Sequence, residues 1–315
     1  MSTPSPHTPQ HTFVHSRGVR LHVLLQGPVK PEGSTERNPL VLFIHGFGGG
    51  YFDFEPLFAQ LEGTPLRLAA VDLRGYGRSD KTPRGYDLTT AASDMAGVIR
   101  RLGYSSAHVV GHGYGGLVAW TMAAHEPERI DRLIALSSAH PTEQAKFLFS
   151  RPLQRWRHTR GTLFAQLPRL PERSLTKDGA ATAEKIFRTG VAPGFRDTPI
   201  YREFAIKRRE TMQVDKVAHL ASEYRRWAFR SRFRPEGRIF DRTIPRRIEA
   251  QVLAIDGSMD PHYSPELATR SLKRGAAGSR EELMYGVGHY PHIEDPVTVA
   301  ELLRAELLTT DSPRS

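Results

Sequence analysis

The sequence predicts an α/β fold: a mostly parallel, doubly wound sheet interrupted by one long helical insertion. Three observations carry that expectation. Short, largely apolar runs at 39–44, 66–71, 107–110, 130–136 and 251–255 read as strands buried on both faces. Stretches of helical period lie between several of them, and alternation of this kind builds parallel sheets. Finally, residues 140–247 break the rhythm, being rich in arginine and lacking any convincing buried strand.

In chain order, the first 12 residues are rich in Ser, Thr, Pro and His and read as a disordered tail. Runs at 13–15 and 19–25 flank Arg17-Gly18, a turn signal, and predict an edge hairpin. A polar loop at 30–38 leads into the strand at 39–44. The strand at 66–71 ends on Asp72, the spacing at 89–102 predicts a helix, and 107–110 is a strand followed by a helix at 114–124. After the strand at 130–136, helix-compatible stretches at 182–188, 198–211 and 214–230 fill the insertion. The alternation resumes with the strand at 251–255, a helix at 265–272, a strand at 281–285 and a final helix at 296–308. The domain reading is therefore a tail at 1–12, a core at 13–139 and 248–315, and a basic helical cap at 140–247.

With 315 residues the chain is long enough for a sizeable core. It carries 44 Lys+Arg against 34 Asp+Glu, for a net charge of +10. Segment 146–247 alone holds 25 basic and 10 acidic residues, a net of +15, which leaves the remainder at −5. The basicity is thus local. It reads as a solvated surface, as attraction for an anionic substrate, an anionic membrane surface or an acidic protein, or, least favoured, as nucleic-acid binding. The pairs Arg208-Arg209, Arg225-Arg226 and Arg246-Arg247 come without a nucleic-acid motif. The absence of cysteine excludes disulfides, thiolate metal sites and a cysteine nucleophile. No signal peptide or membrane span is visible, so a cytoplasmic location is expected. Neither a metal nor an organic cofactor is expected.

In open α/β sheets, ligands bind beyond the carboxyl ends of the strands, so the residues there matter most. The strand at 39–44 is followed by His45-Gly46-Phe47-Gly48-Gly49-Gly50, which lacks the Gly-Lys-Ser/Thr ending of a phosphate loop. The strand at 107–110 is followed by Gly111-His112-Gly113-Tyr114-Gly115-Gly116, with the flanking glycines of a nucleophile elbow. The central residue, Gly113, has no side chain with which to attack. Further on, Gly257-Ser258-Met259-Asp260 and Gly288-His289-Tyr290-Pro291 place an acid and a histidine just past two strands, as a general base oriented by a carboxylate requires.

Together with Asp72-Leu73-Arg74-Gly75-Tyr76-Gly77-Arg78-Ser79-Asp80, these motifs resemble the α/β-hydrolase superfamily over about residues 13–308, most of all its epoxide hydrolase and haloalkane dehalogenase branch. The resemblance implies His289 as catalytic histidine, Asp260 as its orienting acid, and the backbone N–H groups of Phe47 and Tyr114 as the oxyanion hole. The position where that branch carries an aspartate nucleophile is vacant at Gly113. Tyr201 or Tyr224 is similar in kind to the cap tyrosines that polarise an epoxide oxygen in that branch, and His45 and Ser138 are further candidates for substrate contact. His112 is expected to point away from the site, and Ser137 or Ser138 to line it without replacing the nucleophile. The Asp72 segment reads as a structural turn. Two functions follow as expectations. One is a hydrolase-like enzyme acting on a small ester, thioester or related carbonyl compound through the dyad and oxyanion hole. The other is a catalytically silent protein that binds a small ligand, an anionic lipid or a protein partner.

Overall fold

The computed structural model describes residues 8–30, 35–150 and 156–308. Eight strands of these residues form one sheet: β1 (Gln10–Ser16), β2 (Val19–Gln26), β3 (Leu40–Ile44), β4 (Arg67–Val71), β5 (Ala107–His112), β6 (Ile130–Leu136), β7 (Val252–Gly257) and β8 (Arg280–Met284), in the order β1-β2-β4-β3-β5-β6-β7-β8. The β1–β2 and β2–β4 pairings are antiparallel and the other five are parallel. The fold is that of the α/β hydrolases, a mostly parallel sheet with helices on both faces. The tail expected at 1–12 ends sooner, because Gln10 already pairs with Leu25 in the edge hairpin; residues 1–7 lie outside the described residues.

The helices are α1 (Glu55–Gln60), α2 (Leu88–Arg101), α3 (Tyr114–His125), α4 (Pro141–Ser150), α5 (Trp156–Phe164), α6 (Leu170–Gly190), α7 (Pro199–Gln213), α8 (Val217–Arg230), α9 (Pro235–Thr243), α10 (Pro265–Leu272), α11 (Pro291–Glu294) and α12 (Pro296–Leu307). Among the described residues none is long and apolar enough to cross a membrane. The strand alternation explains why the run of β3 is apolar throughout. Leu42 and Ile44 of β3 join one core with Trp120 and Val118, while Val41 and Phe43 join another with Phe58 and Leu303. Both faces of the sheet are covered, so neither set tolerates polar residues.

Helices α4 to α9 intervene between β6 and β7. Non-helical dihedrals at 177–180 split α6 into two pieces, which is why only its second half shows a clean sequence period. Three polar ties hold these helices to the sheet. The Tyr224 hydroxyl donates to the Arg74 carbonyl at 2.9 Å, and Arg74 in turn forms a two-point buried pair with Asp94, both contacts at 2.9 Å. Arg208 Nη2 donates to Asp53 Oδ1 at 2.8 Å. The Glu294 carboxylate accepts from the N–H groups of Ala192, Gly288 and Tyr290 at 2.8, 2.9 and 3.1 Å, joining the end of α6 to the loop that carries His289. Buried Asp72 behaves as the structural residue expected, accepting from the N–H groups of Tyr51 and Arg78 and bonding His22 Nδ1 at 2.9 Å.

Candidate active site

The elbow between β5 and α3 is tight because of its glycines. A Cβ on Gly115 would run into the Ile44 carbonyl, and one on Gly111 into the backbone of Gly115 and Gly116, so helix and strand approach at backbone contact. Gly113 differs from both. It has φ +51° and ψ −113°, the strained geometry of a nucleophile position, yet a Cβ there would meet only His289 Nε2 at 3.6 Å and the Gly46 Cα at 3.9 Å. The backbone keeps the shape of an elbow and leaves room for a side chain it does not carry.

His289 faces that space. Its Nδ1–H donates to Asp260 Oδ2 at 2.7 Å, which leaves the Nε2 lone pair on the Gly113 side. Burial pulls the His289 pKa down, but the Asp260 carboxylate, by charge and by hydrogen bond, more than offsets this and leaves it above its ordinary value. Burial likewise pushes Asp260 up, and the His289 pair with the His262 N–H brings it below the usual carboxylate value. The loop carrying His289 is fixed from behind, the His289 N–H donating to the Gly190 carbonyl at 2.8 Å.

A cavity of about 420 Å³ opens over this point, its walls drawn from the sheet loops and from the inserted helices. Phe47 and Tyr114 both line it. Tyr114 is the first residue of α3, so its N–H has no partner within the helix, and Phe47 follows Gly46 on the facing loop. Ser138 also lines the cavity, but its hydroxyl donates to the Gly113 carbonyl at 2.8 Å and so buttresses the elbow. Ser137, with φ +46°, lines it with a hydroxyl that has no partner among the described residues. Tyr224 lines it as well, with its hydroxyl engaged by Arg74.

Two candidate contact residues stand elsewhere. His45 is wholly buried beneath its loop. Its Nδ1–H donates to the Gly46 carbonyl at 2.8 Å and its Nε2 accepts from the Leu73 N–H at 3.0 Å, so both ring nitrogens are used in shaping the loop. Tyr201 stacks on Phe187 in a separate apolar cluster with Phe204 and Tyr290, away from the cavity wall. His112 points to the rear of the elbow, as its position before the apex requires. Its Nε2–H donates to the His289 carbonyl at 2.9 Å, and burial holds its pKa well below the ordinary value.

Behind His289, the side chains of Asp53, His112 and His292 come together with ligand-capable atoms within 4.8 Å of one another. The Arg208 guanidinium is bonded to Asp53 in the same buried layer, so a divalent cation there would be held against a fixed positive charge. The group reads as a polar layer supporting the His289 loop.

Two pocket residues escape a reading by motif. Asp256, four residues before Asp260, is pushed up to about 8 by burial, with the charges of Glu281 and Asp260 adding to it. Arg225 lines the cavity with its guanidinium 3.4 Å from the centre of the Phe47 ring. In sequence it is half of the pair Arg225-Arg226, yet 217, 221 and 225 share one helical stripe, and Val217 and Ala221 on that stripe are buried. That spacing was the signal available.

The family described as alpha/beta hydrolase fold matches residues 39–296. Epoxide hydrolase 3 of Xenopus tropicalis is 33% identical over 167 residues, 52% of this chain and 43% of that protein. Epoxide hydrolase B of Mycobacterium tuberculosis is 34% identical over 129 residues, 40% of this chain and 35% of that one. The matched segments therefore span less than half the length of these two relatives. Among solved structures, a putative acyltransferase from Salmonella enterica has a TM-score of 0.81 at 21% identity, covering 98% of both chains. Epoxide Hydrolase A from Mycobacterium thermoresistibile has a TM-score of 0.75 at 23% identity, covering 96% of this chain and 99% of that one. At such identities the structures speak for the fold alone. The family match, running from β3 to the start of α12 and enclosing the elbow, Asp260 and His289, makes this chain a member of the alpha/beta hydrolase fold family.

Proposed function

We propose that the protein hydrolyses a small, partly apolar ester, thioester or related carbonyl compound without a covalent intermediate. The observation that carries this reading is the aim of His289 Nε2, backed by Asp260, at the open space over Gly113. A water in that space loses a proton to His289 Nε2 as its oxygen adds to the carbonyl carbon. The oxyanion so formed lies between the N–H groups of Phe47 and Tyr114. Collapse of the adduct breaks the bond to the alkoxide or thiolate, which takes the proton back from His289, giving an acid and an alcohol or thiol. General-base catalysis of this kind supplies ~10²–10⁴-fold, so activated substrates suit the site best.

Relatives named epoxide hydrolases raise the epoxide as an alternative substrate. Against it, Gly113 offers no carboxylate, the Tyr224 hydroxyl is engaged by Arg74, and Tyr201 lies off the cavity wall. Gly113 equally favours a second reading, a silent member of the family that binds a ligand without turning it over.

Hydrolysis of p-nitrophenyl acetate and butyrate by the native chain, His289→Ala and Gly113→Ser separates the two. Native hydrolysis that falls by about 10²-fold or more in His289→Ala supports the catalytic reading. A native rate untouched by His289→Ala overturns it, and activity found only in Gly113→Ser establishes the silent protein.

A further inference from the structure

The inserted helices contain two buried arginines, Arg208 and Arg226, and a half-buried one, Arg225, and their pairing is uneven. Arg208 has Asp53 at 2.8 Å, and Arg226 has Glu172 at 2.7 Å and Glu223 at 2.8 Å. Arg225, one residue from Arg226, pairs with no carboxylate of the described residues. Its contact is the face of Phe47, and the groups acting on it electrostatically are the phenols of Tyr76 and Tyr290. Arg225 is half-buried, and a guanidinium that gives up part of its hydration without a counter-charge is costly, a cost that stacking on one ring offsets only in part. What remains accessible of it belongs to the wall of the cavity above Gly113.

We propose that this cavity binds ligands bearing a carboxylate, with Arg225 as the residue that receives it. The fork of a guanidinium matches the two oxygens of a carboxylate, and one free guanidinium matches one negative charge. Arg160 and Arg232, both exposed, also line the cavity and add a positive potential that favours an acid over its amide. The arrangement sets polarity along the ligand. Its carboxylate lies at Arg225, beside the Phe47 ring, and its reactive carbonyl at the Phe47 and Tyr114 N–H groups. Phe47 thus serves both ends, by side chain and by backbone. Of the +15 excess in segment 146–247, Arg225 is a charge on the cavity wall stacked on Phe47, and Arg160 and Arg232 lie on the same wall.

The inference takes from the proposed function only that the cavity is the ligand site, and it is tested by binding rather than turnover. Calorimetric titration of the native chain with the acids from phenylacetate to 6-phenylhexanoate, each beside its neutral primary amide, reads the charge preference directly. At the fitting length the acid binds roughly tenfold or more tighter than the amide, as a bidentate charge-assisted pair provides. In Arg225→Gln that preference collapses while amide binding persists. Arg225→Met, which keeps a straight chain against Phe47, repeats the test with a second fold-checked variant. Equal affinity for acid and amide at every length, or a preference that survives in either folded variant, overturns the inference. A protein that prefers acids yet leaves esters intact keeps it and loses the catalytic reading, and ester hydrolysis without any acid preference does the reverse.

Discussion

His289 Nε2 lies 3.6 Å from the point where a side chain on Gly113 would begin. That distance is ordinary van der Waals contact, and it puts a hydroxyl one bond further out within hydrogen-bond reach of the imidazole. Gly113→Ser therefore creates a nucleophile with its base already in place. It is expected to show a burst of p-nitrophenol on mixing with p-nitrophenyl butyrate, equal to the enzyme present, where the native chain shows none. The neighbouring glycines respond differently. Gly115→Ala drives a methyl into the Ile44 carbonyl and is expected to lose roughly 1–3 kcal/mol or more, read from urea denaturation.

The pH dependence of hydrolysis follows from the state of His289. As a general base it must be neutral, so the rate rises with pH through its folded pKa. Asp260 holds that pKa above the ordinary 6.5, and the ascending limb is centred above 6.5 accordingly. In Asp260→Asn the main raising charge is gone, leaving burial opposed only by the weaker effects of Glu294 and Asp256, which moves the midpoint to lower pH. The plateau rate falls as well, on the order of 10²-fold, because the imidazole loses the partner that fixes its tautomer. A midpoint that stays in place in Asp260→Asn would show that another group controls the profile.

How much of this was legible in the sequence divides along physical lines. Strands buried on both faces announce themselves, because Val41, Leu42, Phe43 and Ile44 admit no polar residue between them. Motifs whose backbone must turn sharply were also visible, since Gly111 and Gly115 are dictated by contacts with Ile44 and with each other. The inserted helices were harder to read. Their stripes are narrow and interleaved with arginine, and α6 is broken at 177–180, so α4, α5, α9 and the first half of α6 gave no clear period. Side-chain direction was the least accessible property. His45 looks like a site residue by position in its motif, yet both its ring nitrogens are engaged within the protein, whereas His112 turns to the rear of the elbow as its place before the apex predicts. Arg225 looked like one half of a charged pair, but a rotation of about 100° per residue sends it and Arg226 to different partners.

The Arg208–Asp53 pair bears on stability rather than chemistry. Both side chains are almost fully buried, at 2% and 0% exposure, and Asp53 Oδ2 has no partner among the described residues. Arg208→Met leaves the buried Asp53 carboxylate without its cationic partner, beside the neutral rings of His112 and His292. The expected loss is about 3–5 kcal/mol, the usual result of removing one member of a buried pair. The double variant Arg208→Met/Asp53→Leu is expected to recover much of that loss. Urea denaturation of the two variants measures the coupling, and equal losses in both would show that the charge left on Asp53 is not what destabilises the single variant.

Asp256 gives the opposite pH dependence to the usual surface carboxylate. Its folded pKa is raised from 3.8 to about 8, with burial the largest cause. Between those values the unfolded chain is ionised at this residue while the folded chain keeps its proton, so the folded state binds more protons. Stability is then greatest below the unfolded pKa and declines as pH rises, until the folded group also ionises near 8. Asp256→Asn keeps a neutral group of the same shape and removes the titration. Melting curves from pH 5 to 8.5 are expected to show the native chain losing stability toward high pH and the variant losing less. A native chain and variant whose melting temperatures run parallel over that range would show that the folded state holds the Asp256 proton no more tightly than the unfolded chain does, and would remove burial as the control on this carboxyl.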